Sequence, residues 1–168
     1  MGRTCNVTQR ATQRNPTLHD EPDFASFGHD DAWELGTALV ARCRAEQLAV
    51  TISIHLGAQR VFHAALPGTA ADNDEWTMRK TRIVQRFGRS SQEVGQTCAA
   101  DGPMSFHTVF GLSAADYAPT GGAIPIRIHG TMIGVLAVSG LTSAEDHDLA
   151  VTALQLARNK EITTNGSK

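Results

Sequence analysis

The sequence predicts an α+β domain in which an antiparallel sheet is covered by helices. Two observations carry this. The segments 50–66 and 124–139 each alternate apolar and polar residues around a short turn, the signature of a β-hairpin. Segments before, between and after them show apolar spacings of three and four, the helical period. Hairpins require antiparallel pairing, and a sheet with an apolar face needs helices to bury it.

The elements follow in order. Ala32, Leu35, Leu39 and Cys43 recur at helical spacing, so a first helix spans about Asp30 to Gln47, with Asp30 and Asp31 favouring its positive N-terminal end. Val50, Ile52 and Ile54 alternate with Thr51, Ser53 and His55, as a half-buried strand does. Gly57-Ala58 marks a turn, and Arg60 to Leu66 returns as the second strand. After the break at Leu66-Pro67-Gly68-Thr69, the residues Asp72, Asn73 and Asp74 offer caps for a helix running to Phe87. Gly88 ends it, and a further helix from Ser90 or Ser91 to about Ala100 stops at Asp101-Gly102-Pro103. Phe106 and Val109 suit a short strand, and Ser113 to Asp116 a helical turn. Ile124, Ile126 and Ile128 form the first arm of the second hairpin, with His129-Gly130 at its tip and Met132 to Ser139 returning. The last helix runs from about Ser143 to Arg158, with Ser143 and Asp146 as a capping-box-like start. Residues 1–27 read as a flexible polar arm, 28–160 as the domain and 161–168 as a flexible tail.

Composition narrows the function. The chain has 168 residues, 41% hydrophobic and 19% charged, with a formal net charge of −2. That balance suits one soluble core and argues against a general nucleic-acid or membrane surface. No apolar run reaches the length of a membrane span. Three cysteines, none in a CxxC pair, argue against a disulfide framework or a structural zinc site and fit a reducing cytoplasm. GxSxG, P-loop, GxGxxG, HxH and HExxH patterns are all missing.

Several motifs are more specific. LPGT at Leu66 to Thr69, DNDEW at Asp72 to Trp76, Arg79-Lys80, Arg86-Phe87 and Ser90-Ser91 resemble the haem-degrading-domain (HbpS/GlcG-like) superfamily. So does GGAIPIRIHGTMIGVLAVSGL from Gly121, followed by Asp146-His147. The resemblance covers residues 30 to 158 and implies a profilin-like α-β-β-α-α-β-β-α fold and homo-oligomers. Related modules bind or degrade haem, stand alone as GlcG-type proteins, or are appended to a cobalamin adenosyltransferase, and a eukaryotic relative is linked to delivery of tail-anchored proteins. Fold therefore transfers better than activity. Three functions stay open: a non-catalytic module binding haem or a small anionic ligand, a haem-degrading or other tetrapyrrole redox enzyme, and an assembly or targeting adaptor.

The candidate binding block comprises Pro67, Gly68, Thr69, Asp72, Asn73, Trp76, Arg79, Lys80 and Arg86. Thr69 and the amides after Gly68 can donate to an anion at the start of the next helix. Arg79, Arg82 and Arg86 recur as a basic stripe suited to carboxylate or phosphate. Asp72, Asp74 and Glu75 oppose an anion there, so a capped helix with a solvated basic face is the competing account. Gly121, Gly122 and Pro125 are the second part of the candidate pocket, since paired glycines allow close backbone approach to a ligand. Tight packing at a strand start explains them equally well.

Of seven histidines, His55 and His63 are the haem-ligand candidates. His55 alternates to the polar, accessible side of its strand. A two-residue turn places His63 on the face of Ile52 and Ile54, where a hydrogen-bonded core or interface role competes with ligation.

Overall fold

The structure is a computed structural model that describes residues 21–100 and 106–165. Its first element is one the sequence did not announce. β1 (Asp23–Phe24) lies within the stretch read as an arm and pairs in parallel with β4 (Ala123–Ile128). Phe24 and Phe27 are buried, so residues 21–27 are packed. The rest of the expected arm, residues 1–20, lies outside the described residues.

α1 (His29–Ala45) starts at Gly28, whose N–H donates to Asp31 Oδ2 at 2.7 Å. β2 (Thr51–Leu56) and β3 (Gln59–Ala65) form the first hairpin around Gly57-Ala58. α2 (Ala71–Phe87) starts one residue before the expected caps, with Asn73 Oδ1 accepting the Ala70 N–H at 2.9 Å. α3 (Ser91–Ala100) follows, and its predicted stop at Asp101-Gly102-Pro103 lies outside the described residues. Phe106–Phe110 forms a one-turn helix, α4, in place of the expected strand. β4 and β5 (Thr131–Ser139) make the second hairpin around His129 and Gly130, both with positive φ. α5 (Ser143–Asn165) continues through the first part of the segment read as a tail, and residues 166–168 lie outside the description. Its capping box falls one residue earlier than expected. Thr142 and Glu145 bond reciprocally, which releases Asp146 for another role.

The sheet order is β1-β4-β5-β2-β3, with helices on both faces. Ile52, Ile54, Ile124, Ile126, Leu136 and Val138 line the face under α1 and α5, where the main core sits. Ala123, Val135 and Ala137 line the other face, under Val84 of α2. Thr51, Ser53 and His55 point to this second face and are buried by α2. The alternation in β2 therefore separates two buried faces rather than core from solvent.

His55 is 3% exposed, which corrects its reading as an accessible histidine. His63 also changes place. The hairpin starts with Leu56 opposite Gln59, but a one-residue bulge at Val61 puts Ile54 opposite Phe62 and Ser53 opposite His63. Because side chains alternate, one extra residue moves His63 off the Ile52 face and puts Phe62 there.

Lys80 ties the two layers together. It is 3% exposed, and its Nζ donates to Asp146 Oδ2 at 2.8 Å and to the Val138 carbonyl at 3.0 Å. Asp146 Oδ1 accepts the Leu141 N–H at 3.0 Å, so both carboxylate oxygens are used. One ion pair thus joins α2, β5 and the start of α5.

Removing one partner of a buried pair leaves an uncompensated charge, which costs about 3–5 kcal/mol. Asp146→Ala should lose that much in urea unfolding, whereas Lys80→Met with Asp146→Leu should recover most of it. A second prediction concerns pH. Burial is the main cause holding the His55 pKa below its ordinary 6.5, with Arg60 and His63 adding to it. The unfolded chain then takes the proton first, so His55 contributes stability that is present above pH 6.5 and lost as pH falls from there through its folded value. His55→Gln should flatten the pH dependence of the unfolding free energy across that window.

Candidate functional site

The predicted binding block folds into a closed set of local contacts. Thr69 Oγ1 donates to the Leu66 carbonyl at 2.7 Å, so its hydroxyl closes the turn. Asp72 Oδ2 accepts the Trp76 indole N–H at 3.0 Å. The Arg79 guanidinium stacks 3.8 Å over the Trp76 ring and donates to the Ala114 carbonyl at 3.1 Å. Arg82 donates to the Asp116 carbonyl at 3.2 Å, with the Asp116 carboxylate 3.9 Å away. Arg79 and Arg82 thus form a clamp that holds the 113–117 turn on α2. Pro67 and Gly68 are exposed beside it.

The two halves of the predicted pocket do meet, through Lys80 and Gly122, but at a buried ion pair. A Cβ on Gly122 would lie 2.8 Å from Lys80 Nζ and would collide with the Val138 carbonyl. A Cβ on Gly121 would collide with the Ser143 carbonyl, and the Gly121 N–H donates to Ser143 Oγ at 2.7 Å. The paired glycines admit an ammonium group and the start of α5, which is a tight-packing role. Pro125 is buried opposite Val135. Arg79 and Lys80, adjacent in sequence, point to different environments because a helix turns about 100° per residue.

His63 is exposed at the sheet edge, with Nε2 3.5 Å from Asp74 Oδ1. His55 lies inward on the same face, and its Nδ1 has no partner among the described residues. Thr51, Ser53 and Thr81 carry similarly unpartnered buried hydroxyls beside it.

A different histidine has the orientation a ligand needs. His107 sits on α4, half-buried, and its Nδ1 lies 3.1 Å from the Leu112 carbonyl. A carbonyl only accepts, so this bond requires the proton on Nδ1 and leaves the Nε2 lone pair available. Its ring packs edge-on against Phe106 at 5.3 Å, and Phe106 stacks in turn with Phe87 and Phe110 at 5.6 and 5.1 Å. Val109, Leu112 and Tyr117 complete this apolar cluster. Arg86 lies 5.9 Å over both Phe87 and Tyr117 and is exposed. Of the predicted block, Arg86 therefore joins the aromatic cluster. Nothing in the sequence singles out His107, because only the helical turn brings it and Leu112 together. Among the described residues, no three His, Cys, Asp or Glu side chains are grouped to hold a metal ion.

A five-stranded sheet with helices on both faces and a small aromatic satellite cluster defines an α+β module of the HbpS type. The chain belongs to the HbpS-like family, described as haem degrading protein HbpS-like, which it matches over residues 27–155. A UPF0303 protein of Streptomyces coelicolor is 44% identical over 133 residues, covering 79% of this chain and 84% of that one. The crystal structure of Ybr137w protein superposes with a TM-score of 0.75 at 30% identity, covering 82% of each chain. The crystal structure of a PduOC:heme complex shares the fold, with a TM-score of 0.66 at 21% identity over 77% of this chain and 94% of that one.

The clamp can be tested directly. Arg82→Ala removes an exposed contact worth less than about 1 kcal/mol to global stability. Amide exchange at Tyr117 and Ala118 should nevertheless accelerate, because their N–H bonds close the held turn onto Ser113 and Arg79. Unchanged exchange there would show that the turn holds itself.

Proposed function

We propose that this protein is a haem-binding module in which His107 is the iron ligand. The observation that carries the reading is the His107 ring, oriented by the Leu112 carbonyl with Nε2 available beside an aromatic cluster. An imidazole fixed through its other nitrogen is the usual form of a haem or metal ligand. Phe110 and Tyr117 offer apolar surface for a flat macrocycle, and Arg86 offers a cation for a propionate. The family description and the haem complex of a neighbour with the same fold support the choice of ligand. Bound iron would supply redox chemistry, while the residues of this chain bind and orient. We therefore read the module as a haem binder rather than a catalyst.

Titration of the full chain with hemin should give a saturable, sharpened Soret band at stoichiometric ratio. His107→Ala should abolish the sharpening, and Arg86→Ala should weaken binding about tenfold. His63→Ala should bind as the parent does. An unchanged band in His107→Ala would overturn the assignment. Loss of bound haem under ascorbate faster than that of free haem would make the protein an enzyme.

A further inference from the structure

We infer that the cleft between α1 and α5 is a second binding site, for a small amphiphile with a long apolar chain and a cationic amine head. It lies on the opposite face of the sheet from His107, so the inference goes beyond the haem reading. The cleft measures about 520 Å³ and its floor is apolar, with Phe24, Phe27, Leu35 and Leu39 facing Ala153 and Leu156. That volume is typical of sites for small organic ligands. Leu156 is 58% exposed at the rim, so apolar surface continues out of the cleft.

Charge sets the head group and its end. The cleft follows α1 from Asp31 to Arg42, which at the helical rise is a length of roughly 16 Å. The Arg42 end is already neutralised, because Arg42 pairs with Glu46 at 2.9 Å. The other end gathers Asp31, Glu34 and Glu161. Glu161 is fully engaged, taking the Ala25 and Ser26 N–H groups on one oxygen and Arg158 on the other. Asp31 is not. Among the described residues Asp31 accepts only the Gly28 N–H, through one oxygen, whereas Glu34 meets Lys160 in a pair whose side chains are 64% and 69% exposed. Lys160 thus answers Glu34, and Asp31 is the carboxylate at this end that an incoming ammonium would meet. Asp31, Glu34 and Glu161 stand against Lys160 and Arg158 at this end, which leaves one negative charge there, and an apolar channel that ends in net negative charge is complementary to an alkyl ammonium.

The probe is dodecylammonium, used below its micelle concentration with the full chain and followed by amide chemical shifts. Saturable shifts confined to α1, α5 and residues 24–27 are expected. Asp31→Asn combined with Glu34→Gln should weaken binding about tenfold. Ala38→Phe, at an exposed lining position that can change without disturbing the core, should abolish it by filling the channel. Dodecanoate should bind at least about tenfold more weakly than the amine. Equal or tighter binding of dodecanoate would overturn the cationic assignment, and no saturable shift would overturn the site. A self-associated protein that Leu156→Glu dissociates, with no response to the amine, would show that a second copy covers the cleft instead.

Discussion

The buried contact between Lys80 and Asp146 is the constraint around which the rest of this fold is arranged. It lies where the middle of α2, the end of β5 and the first turn of α5 converge, and each element gives up something to make it. Burial is the largest influence on Lys80 and pushes its pKa down, while Asp146 opposes that by attraction and hydrogen bonding. Gly122 gives up a side chain so that the ammonium has room. Asp146 gives up a capping role, which passes to Thr142 and Glu145. A charged pair of this kind is weak evidence of net stability, but it is lost if any of the elements that carry it shifts out of reach.

The two faces of the sheet follow from that placement. The face under α1 and α5 is built from branched aliphatic side chains and supplies the main core. The face under α2 is built from alanine, threonine, serine and histidine, which lets the helix approach closely but leaves hydroxyls without partners among the described residues. The aromatic cluster at the end of α2 forms a separate apolar centre that holds α4 and His107.

Much of this was legible from residue order alone. Both hairpins announce themselves because alternation survives any detail of register, and the long helices because their apolar spacing persists over many turns. The places that were not legible have specific causes. β1 has two residues, too few to show a period. The Val61 bulge adds one residue and so reverses which face His63 occupies, although no local signal marks it. Phe106 to Phe110 is short and apolar, and such runs suit a strand and a helical turn alike. The candidate site suffered most, because a cluster of glycines and basic residues has the same composition whether it cradles a ligand or packs against its own helix. Arg79 and Lys80 differ in fate only through the helical angle between them.

The strap at residues 21–27 has a consequence for the order of assembly. Its Ala25 and Ser26 amides are held by Glu161, 136 and 135 positions later in the chain. Asp23 is held by the Gly130 amide, and Glu21 by Arg127. Every one of these partners is made more than a hundred residues after the strap itself. On a ribosome the strap therefore emerges before every residue that holds it, and its contacts with α5 are among the late ones to form. Closing contacts of such long range is slow relative to forming local ones. A nascent chain of this fold carries an exposed pair of phenylalanines through most of its synthesis, which makes the strap the segment of the described fold with the longest wait for a chaperone to shield.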